Sequence, residues 1–208
     1  MNTVIYFRSL SVGHTERTLN EDLAKLSSWL NKNRLTLNIS KSKFMLIGSP
    51  HKICCCNSID LIVDSVTLES TSTFKYLGVT INKNMTWCDH AEAISSKINQ
   101  RIAMLKRIRH LLPVEMRSTL YNSLILPVFD YADTIWGDKF NATLMEDLQL
   151  LQNKAAKPII LDLPSFSSST QALEALGWQT LARRGLLHRC TCVLIYKYVI
   201  KDLPNGTF

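Results

Sequence analysis

The apolar residues near the start of the chain follow first the spacing of a strand and then that of a helix. Thr3–Phe7 is a run of β-branched and aromatic residues, which predicts a buried strand. Leucines then recur at intervals of four, three and four residues, the spacing of one helix face: Leu19, Leu23, Leu26 and Leu30. We expect this helix to be capped by Thr15 and to end in the Asn-Lys-Asn sequence at 31–33.

The chain between residues 34 and 83 has the pattern of several short strands. The alternation of Leu35, Leu37 and Ile39 predicts one strand, and the run Phe44–Ile47 predicts a second, with a turn at Ser40–Lys43 between them. Two further strand-like runs follow, IDLIVDSVTLES at 59–70 and FKYLGVTIN at 74–82. An Asp-Ser turn at 64–65 divides the first run, so the two runs predict three short antiparallel strands.

The pattern becomes helical after residue 83. Apolar positions step by three or four residues and predict a long amphipathic helix that ends near His110: Ile94, Ile98, Ile102, Leu105, Ile108 and Leu112. Pro113 suits the first turn of a second helix, which Pro127 should kink or split. Met145–Ile160 and Gln171–Ile200 predict two more helical segments, separated by a Pro- and Ser-rich linker at 164–169.

The predicted fold class is therefore α+β, with short antiparallel strands and one helix followed by an all-helical bundle. The boundary between the two parts lies near residues 83–87. Five apolar residues near the end of the chain are interpreted as core positions: Leu173, Leu176, Trp178, Leu181 and Leu186. Composition agrees with a folded chain, because 46% of the 208 residues are hydrophobic and 20% are charged.

The net charge of +7 favours a polyanionic partner, nucleic acid before membrane. The first 30 residues contain no apolar signal sequence, and no apolar run approaches 18 residues. We therefore expect an intracellular protein, cytoplasmic or nuclear, that is neither secreted nor inserted in a membrane. The six cysteines lack the spacing of a zinc site or a disulfide framework, which favours free thiols in a reducing compartment.

Motifs of common enzyme sites are absent: the chain contains no G-x4-G-K-[ST], G-x-G-x-x-G, G-x-S-x-G or H-E-x-x-H. The histidines do not cluster in sequence and are interpreted as surface or internally satisfied residues: His14, His51, His90, His110 and His188. Asp60 and Asp64 are better explained by turn chemistry than by metal binding. Tyr131-Ala132-Asp133 is close to a polymerase Y-x-D-D box, but its helical surroundings make it a decoy.

The order of four segments carries more information than any single motif. TVIYF is followed by the helix TLNEDLAKLSSWLNKNRLTLN, then by ISKSKFML and by FKYLGVTIN. This order resembles the C-terminal part of the reverse transcriptase of non-LTR (LINE-like, jockey-type) retrotransposons, and the resemblance covers essentially the whole chain. It implies that residues 1–83 form the end of the palm with its primer-grip hairpin, that 84–163 form the thumb and that 164–208 form a helical segment after the thumb.

The resemblance also implies a loss of catalysis. In the family, a hairpin similar to Y-A-D-D-T-x-I carries the catalytic acids, and TVIYF corresponds to its second strand. Asn2 then stands at the position of the second catalytic aspartate, and Met1 stands at that of the first. A two-metal mechanism needs carboxylates, which an amide cannot replace. We expect no polymerase activity and no bound cofactor, although the family uses magnesium.

Supporting parts of the family's site have counterparts in this chain. LNISKSK resembles the L-N-x-x-K-[ST] box, which would place Lys41 near an incoming triphosphate, although an ordinary turn lysine is the alternative. KYLG resembles the primer grip, with Tyr76 and Leu77 at the primer backbone and Gly78 allowing close approach. The basic residues Lys97, Arg101, Lys106 and Arg107 of the thumb form a stripe that could follow a phosphate backbone, or a solvated polar face.

Three functions remain open at this point. The chain is an inactive remnant of an RNA-directed DNA polymerase, a non-catalytic nucleic-acid-binding module, or a helical interaction protein. The first two imply a weak interaction with an RNA or DNA primer–template. None implies a small-molecule substrate or a membrane, and the oligomeric state is left open.

Overall fold

The structure is a computed structural model that describes residues 3–49, 51, 59–137 and 142–200. The described residues fall into two units, and the chain passes from one to the other between Thr86 and Trp87. The first unit is a mixture of one long helix and short strands, and the second unit is helical. The α+β composition expected from the sequence is therefore present at the level of secondary structure.

The first unit begins with helix α1, Val12–Lys32. Its cap is Ser11, whose hydroxyl oxygen accepts a hydrogen bond from the His14 N–H at 3.4 Å. The expected cap at Thr15 is wrong, because Ser11 lies one turn earlier in an extended conformation and Thr15 donates its hydroxyl to the Ser11 carbonyl at 3.0 Å. The helix ends at Asn33, as expected, where the side-chain amide donates to the Trp29 carbonyl at 2.8 Å.

The strands of the first unit are shorter than the sequence pattern suggested. They are β1, Lys43–Phe44; β2, Ile62–Val63; β3, Val66–Thr67; β4, Glu69–Ser70; β5, Thr73–Tyr76; and β6, Val79–Asn82. They form three separate pairs, of which β2–β3 and β5–β6 are antiparallel and β1–β4 is parallel. The expectation of purely antiparallel strands is therefore wrong. The expected strand Leu35–Ile39 is also wrong, since a short 3-10 helix forms instead at Ile39–Lys41.

Tight turns join the two antiparallel pairs. Asp64 and Ser65 have φ values of 48° and 67°, and Leu77 and Gly78 have φ values of 45° and 85°. Positive φ at both central residues is the geometry of a two-residue hairpin turn. The expected turn at Asp64-Ser65 is confirmed, whereas the run 74–82 is a hairpin bent at Leu77-Gly78 and not a single strand.

Thr3–Phe7 does not form the expected strand. The residues from Thr3 to Ser9 adopt no regular secondary structure, and the apolar side chains of Val4 and Tyr6 are 55% and 90% exposed. A strand is stable only where a neighbouring strand accepts and donates its backbone hydrogen bonds. No described strand of the first unit pairs with this segment, so β-propensity alone does not produce a strand there.

The core of the first unit lies between α1 and the β2–β3 hairpin. Its buried residues are Leu23, Ile59, Leu61, Val63 and Leu68. The Asn20 side chain holds the hairpin against α1, because it donates to the Asp60 carbonyl at 3.0 Å and accepts from the Ile62 N–H at 2.9 Å.

The second unit, called the helical unit below, contains eleven described helical segments. The α-helices are α2, Cys88–Ile108; α3, Val114–Leu120; α4, Leu126–Asp130; α5, Asp133–Trp136; α6, Ala142–Ala155; α7, Ser169–Ala175; and α8, Leu181–Ile195. A 3-10 turn at Arg109–Leu111 follows α2, and π-helical segments lie at Tyr121–Ile125, Ala156–Ile160 and Tyr196–Ile200.

Proline and glycine account for most of the breaks between these helices. Pro113 caps α3, and Pro127 lies in the first turn of α4 directly after a π segment, which confirms the expected split. The expected single helix at Gln171–Ile200 is wrong: it is divided after α7, where Gly177 adopts a φ of +66°. Glycine tolerates this left-handed conformation at the end of a helix.

The helical unit is built around one face of α2. Ile94, Ile98, Ile102 and Leu105 are buried there, at the spacing that the sequence pattern indicated. Tyr121 and Trp178 stack in the same core with ring centroids 3.9 Å apart. None of the helices in the described part of the chain is long and apolar enough to cross a membrane.

Candidate functional sites

The tip of the β5–β6 hairpin contains the three residues expected from the primer-grip resemblance. Tyr76 ends β5 and is half-buried, whereas Leu77 is 62% exposed at the turn. Gly78 follows with a positive φ, and Val79 is buried and anchors the hairpin. The turn therefore presents backbone and one apolar side chain to solvent on a fixed two-stranded support.

Lys41 lies on a separate element of the first unit. It is the last residue of the 3-10 helix, its side chain is exposed, and its backbone N–H donates to the Asn38 side chain at 3.2 Å. The neighbouring Lys43 differs, because its ammonium group forms an ion pair with Glu69 at 2.9 Å. The backbone of Lys41 is therefore held by the Asn38 cap, while its side chain is exposed.

The four basic residues expected to form a stripe on α2 do not act as one set. Lys97, Lys106 and Arg107 are exposed, whereas the Arg101 guanidinium turns inward and donates to the Leu124 carbonyl. Nine residues separate Lys97 from Lys106, which places them on opposite sides of a helix with 3.6 residues per turn. Arg107 lies between them, about 80° from Lys97 and about 100° from Lys106 around the helix, so the three exposed cations do not form one line.

Arginine side chains also hold the π segment Ala156–Ile160, which contains Pro158. Arg109 donates to the Pro158 carbonyl, and Arg117 donates to the Ile159 carbonyl at 2.7 Å. Arg117 also pairs with Asp162 at 2.8 Å and is buried, with 7% of its side chain exposed. A proline cannot donate a backbone hydrogen bond and distorts the preceding turn, so these cations satisfy carbonyls in an irregular stretch of helix.

A cluster of charged residues joins α8 to α4 and α5. Both carboxylate oxygens of Asp130 accept hydrogen bonds from Arg184, at 3.0 and 2.6 Å. The Asp133 carboxylate lies 2.6 Å from Nδ1 of His188. The bidentate contact between Arg184 and Asp130 is a strong geometry for a guanidinium and a carboxylate. Its hydrogen bonds raise the pKa of Arg184 above the ordinary value.

Asp130, Asp133 and His188 have potential metal-ligand atoms within 4.8 Å of one another. The hydrogen bonds of the cluster nevertheless favour a structural role. Arg184 occupies both oxygens of Asp130 and brings a positive charge to the place that a cation would take. The Tyr131-Ala132-Asp133 sequence lies at a turn between two short helices, which confirms the helical surroundings expected for it.

The sequence contained a signal for this cluster that motif searching missed. Asp130 and Asp133 are three residues apart, and Arg184 and His188 are four apart, so each pair lies on one face of its segment. Two acids and two bases at matching spacings indicate a contact between helices. His188 is internally satisfied, as expected, but Leu186 beside it is 55% exposed and is not the core residue that was expected.

Tyr121 lies at the centre of the helical unit, near the charged cluster. Burial raises the pKa of its phenol well above the ordinary value, and the Asp130 carboxylate acts in the same direction. The Gln152 side chain and the Arg184 guanidinium oppose this effect without cancelling it. The phenol of the folded chain is therefore protonated at neutral pH.

Two relatives are similar to most of this chain. It is 24% identical over 180 residues, 85% of its length, to the probable RNA-directed DNA polymerase from transposon BS of Drosophila melanogaster. It is 23% identical over 138 residues, 65% of its length, to the probable RNA-directed DNA polymerase from transposon X-element of the same organism. No protein-family model and no solved structure matches the chain.

The two similarities confirm the predicted resemblance to a segment of a LINE-like reverse transcriptase. The chain covers 19% of the first relative and 15% of the second, so it spans less than a fifth of the length of the relatives it matches. Asn2, which the resemblance aligns with a catalytic aspartate, lies outside the described residues.

Replacing Arg117 tests the structural role of the inward arginines. We expect Arg117→Ala to lower the free energy of unfolding by about 2–3 kcal/mol, because a buried hydrogen bond from a charged donor is lost and Asp162 keeps only its longer ion pair with Arg109, at 3.8 Å. Urea unfolding followed by circular dichroism measures the change. The matched control is Arg107→Ala on the exposed side of α2, which should change stability by less than about 0.5 kcal/mol; equal effects of the two variants would contradict the assignment.

The raised pKa of Tyr121 predicts a specific loss of stability in alkali. Above about pH 10 the phenol ionises in the unfolded chain but not in the folded one, so the unfolded state binds fewer protons and stability falls as pH rises. The contribution is fully present below that pH and is lost above it by up to about 1.4 kcal/mol per pH unit. Tyr121→Phe should remove this part of the slope in urea unfolding between about pH 9 and 11. The exposed Tyr198→Phe is the control and should retain the wild-type slope.

Proposed function

We propose that this chain corresponds to the end of the palm and the thumb of a LINE-like reverse transcriptase, and that it binds nucleic acid without polymerising nucleotides by itself. The observation that carries the proposal is the similarity to two transposon RNA-directed DNA polymerases, which extends over 85% of the chain in one case. The order of segments in the first unit supports the palm assignment. The helical unit that begins at Trp87 supports the thumb assignment.

Two separate elements support contact with a primer–template. The β5–β6 turn exposes Leu77 and places Gly78 where a phosphate backbone could approach closely. In the helical unit, Lys97, Lys106 and Arg107 are exposed on α2 and can neutralise phosphates. Lys97 and Lys106 lie on opposite sides of the helix, so a single phosphate backbone would meet one of them together with Arg107. Arg101 is engaged with Leu124 and is not expected to contribute directly.

The lack of polymerase activity rests on the residue at position 2. Asn2 replaces the second catalytic aspartate of the resemblance, and a neutral amide cannot fix two magnesium ions at the separation of about 3.5–4 Å that nucleotidyl transfer requires. Lys41 is then a vestige of the triphosphate site, and its exposed charge has no catalytic partner to assist. Its role in this chain is that of the 3-10 helix residue described above.

Binding of an RNA template annealed to a DNA primer tests the nucleic-acid proposal. Fluorescence anisotropy should show an affinity that falls linearly with the logarithm of salt concentration. Lys97→Ala/Arg107→Ala should weaken binding and reduce the slope by up to about 2, since each lost phosphate contact removes about 0.9. Gln100→Ala, an uncharged and exposed change on the same helix, is the control. Binding that is absent or insensitive to salt would favour the alternative of a helical interaction protein.

Primer extension tests the catalytic part of the proposal. With magnesium or manganese, all four deoxynucleotides and an annealed primer–template, we expect no incorporation above the protein-free background, because the carboxylate pair of the mechanism is replaced. Template-dependent incorporation that scales with protein concentration would show that the alignment of Asn2 with the catalytic acid is wrong. The wild-type chain must be shown to be folded in the same buffer by circular dichroism.

A further inference from the structure

The β2–β3 hairpin of the first unit has one edge that no strand in the described part of the chain covers. The Leu61 carbonyl accepts a hydrogen bond from the Leu68 N–H at 2.8 Å, so the backbone of Leu61 faces β3. Successive residues of a strand direct their backbone groups to opposite edges, and those of Asp60 and Ile62 therefore point away from β3. Among the described strands, β2 pairs with β3 alone. An edge of this kind can accept a further strand.

Side chains of α1 bind the outward backbone groups of this edge. The Glu16 carboxylate accepts a hydrogen bond from the Asp60 N–H at 3.3 Å. The Asn20 side chain donates to the Asp60 carbonyl at 3.0 Å and accepts from the Ile62 N–H at 2.9 Å. A primary amide has both a donor and an acceptor, as the backbone has. Asn20 therefore makes the two hydrogen bonds that one residue of a parallel neighbouring strand would make.

The rise of the helix matches the rise of the strand along this contact. Glu16 and Asn20 are four residues apart, which is about 6 Å along a helix axis. The N–H groups that they bind belong to residues two apart, which is about 6.6 Å along a strand. Leu23 lies on the same face of α1 and is buried in the core of the first unit. Ser27, one turn further, donates its hydroxyl to the Asp64 carboxylate at the hairpin turn. This face of α1 therefore follows β2 as far as the turn.

We propose that Glu16, Asn20 and Ser27 form a strap that closes the outer edge of β2 against a strand from a second copy of this chain. The three side chains lie on one face of α1 and occupy the positions at which the backbone of an added strand would bind. The inference does not rest on the proposed function, because every contact that carries it lies within the first unit.

The composition of the first unit explains why an open edge would be occupied. The run Ile59–Val63 contains four aliphatic residues that favour or tolerate strands, so its backbone is suited to pairing. Each copy also exposes a strand-forming segment, Thr3–Phe7, in which the Val4 and Tyr6 side chains are 55% and 90% exposed. Without the strap, each copy would present both an edge and a segment that could add to it.

Sedimentation velocity of the full chain, in the absence of nucleic acid, tests the proposal. Asn20→Leu removes both hydrogen bonds with a side chain of similar size, and leucine is the better helix former. This variant should self-associate more strongly than the wild-type chain as concentration rises. Asn31→Leu is the matched control, because it adds the same apolar side chain at an exposed position of α1. Wild-type behaviour of Asn20→Leu, or equal self-association of Asn31→Leu, overturns the proposal.

A destabilised hairpin with its strap intact separates the loss of stability from the opening of the edge. Leu68→Ala removes a buried side chain from the core of the first unit and leaves the groups that bind β2 to α1 unchanged. It should lower the thermal transition without the self-association of Asn20→Leu. Self-association of Leu68→Ala to the same degree would show that loss of stability, and not an open edge, joins the copies.

A second substitution, made on the opened edge itself, should reverse the effect. In Asn20→Leu/Ile62→Pro the proline removes the outward N–H, whereas Leu61 and Val63 still face β3. Asn20→Leu/Ile62→Lys is an alternative that keeps the backbone N–H, since Ile62 is 48% exposed and an edge lysine opposes strand pairing. Each double variant that is folded by circular dichroism should sediment as the wild type does. Self-association that persists in the folded double variants contradicts closure of this edge by the strap.

Discussion

The helical unit depends on arginine side chains that hold helices together where prolines interrupt them. Pro127 and Pro158 each stand next to or within a π segment, in which the regular backbone ladder is broken. Arg101 donates to the Leu124 carbonyl near the first interruption, and Arg109 and Arg117 donate to carbonyls of the second. Each contact joins elements far apart in sequence, so the breaks become points of attachment between helices. Buried carbonyls without such partners would cost about as much as the lost hydrogen bonds.

Because these arginines bind groups of the helical unit itself, the net charge of +7 overstates the number of cations that are available to a partner. Several bases of the helical unit bind backbone carbonyls or carboxylates of the same unit: Arg101, Arg109, Arg117, Lys157, Arg184 and Arg189. Their charge contributes to the net +7 but their donors are already engaged. The side chains that can meet a phosphate backbone on α2 are fewer, namely Lys97, Lys106 and Arg107. A small number of phosphate contacts implies modest affinity and a shallow salt dependence.

Sequence periodicity identified the helical unit well and the first unit poorly, for a physical reason. The stripe from Ile94 to Leu105 is long and buried on one face, so local pattern and tertiary packing agree. Thr3–Phe7 has strand composition, but a strand requires a hydrogen-bonding neighbour that local sequence does not specify. The parallel pairing of β1 with β4 is equally non-local. Gly177 and Ser11 carried ordinary capping signals that the broader helical pattern obscured.

In the candidate sites, too, local features could be predicted from the sequence and contacts between distant residues could not. The turn at Leu77-Gly78 could be placed from sequence because its chemistry is local, whereas the inward direction of Arg101 depends on where the Leu124 carbonyl lies. The contact between Asp130 and Arg184 joins residues 54 positions apart in sequence. The spacings within the acidic pair and within the basic pair indicate that each could face a partner, but they do not specify which partner. Leu186 was expected in the core because an apolar helix residue usually is, but α8 packs through the polar side chains of Arg184 and His188, and Leu186 lies on the exposed side.

The central proposal is that exposed bases of α2 bind nucleic acid, while the inward arginines stabilise the helical unit. The most direct measurement compares stability and primer–template affinity, on the same preparations, for two sets of variants. One set carries Arg101→Lys, Arg109→Lys and Arg117→Lys, which keep the charge but lose the guanidinium geometry. The other carries Lys97→Ala, Lys106→Ala and Arg107→Ala. The account predicts that the first set lowers unfolding free energy and leaves affinity nearly unchanged, and that the second set does the reverse. Loss of affinity at full stability in the first set would contradict it.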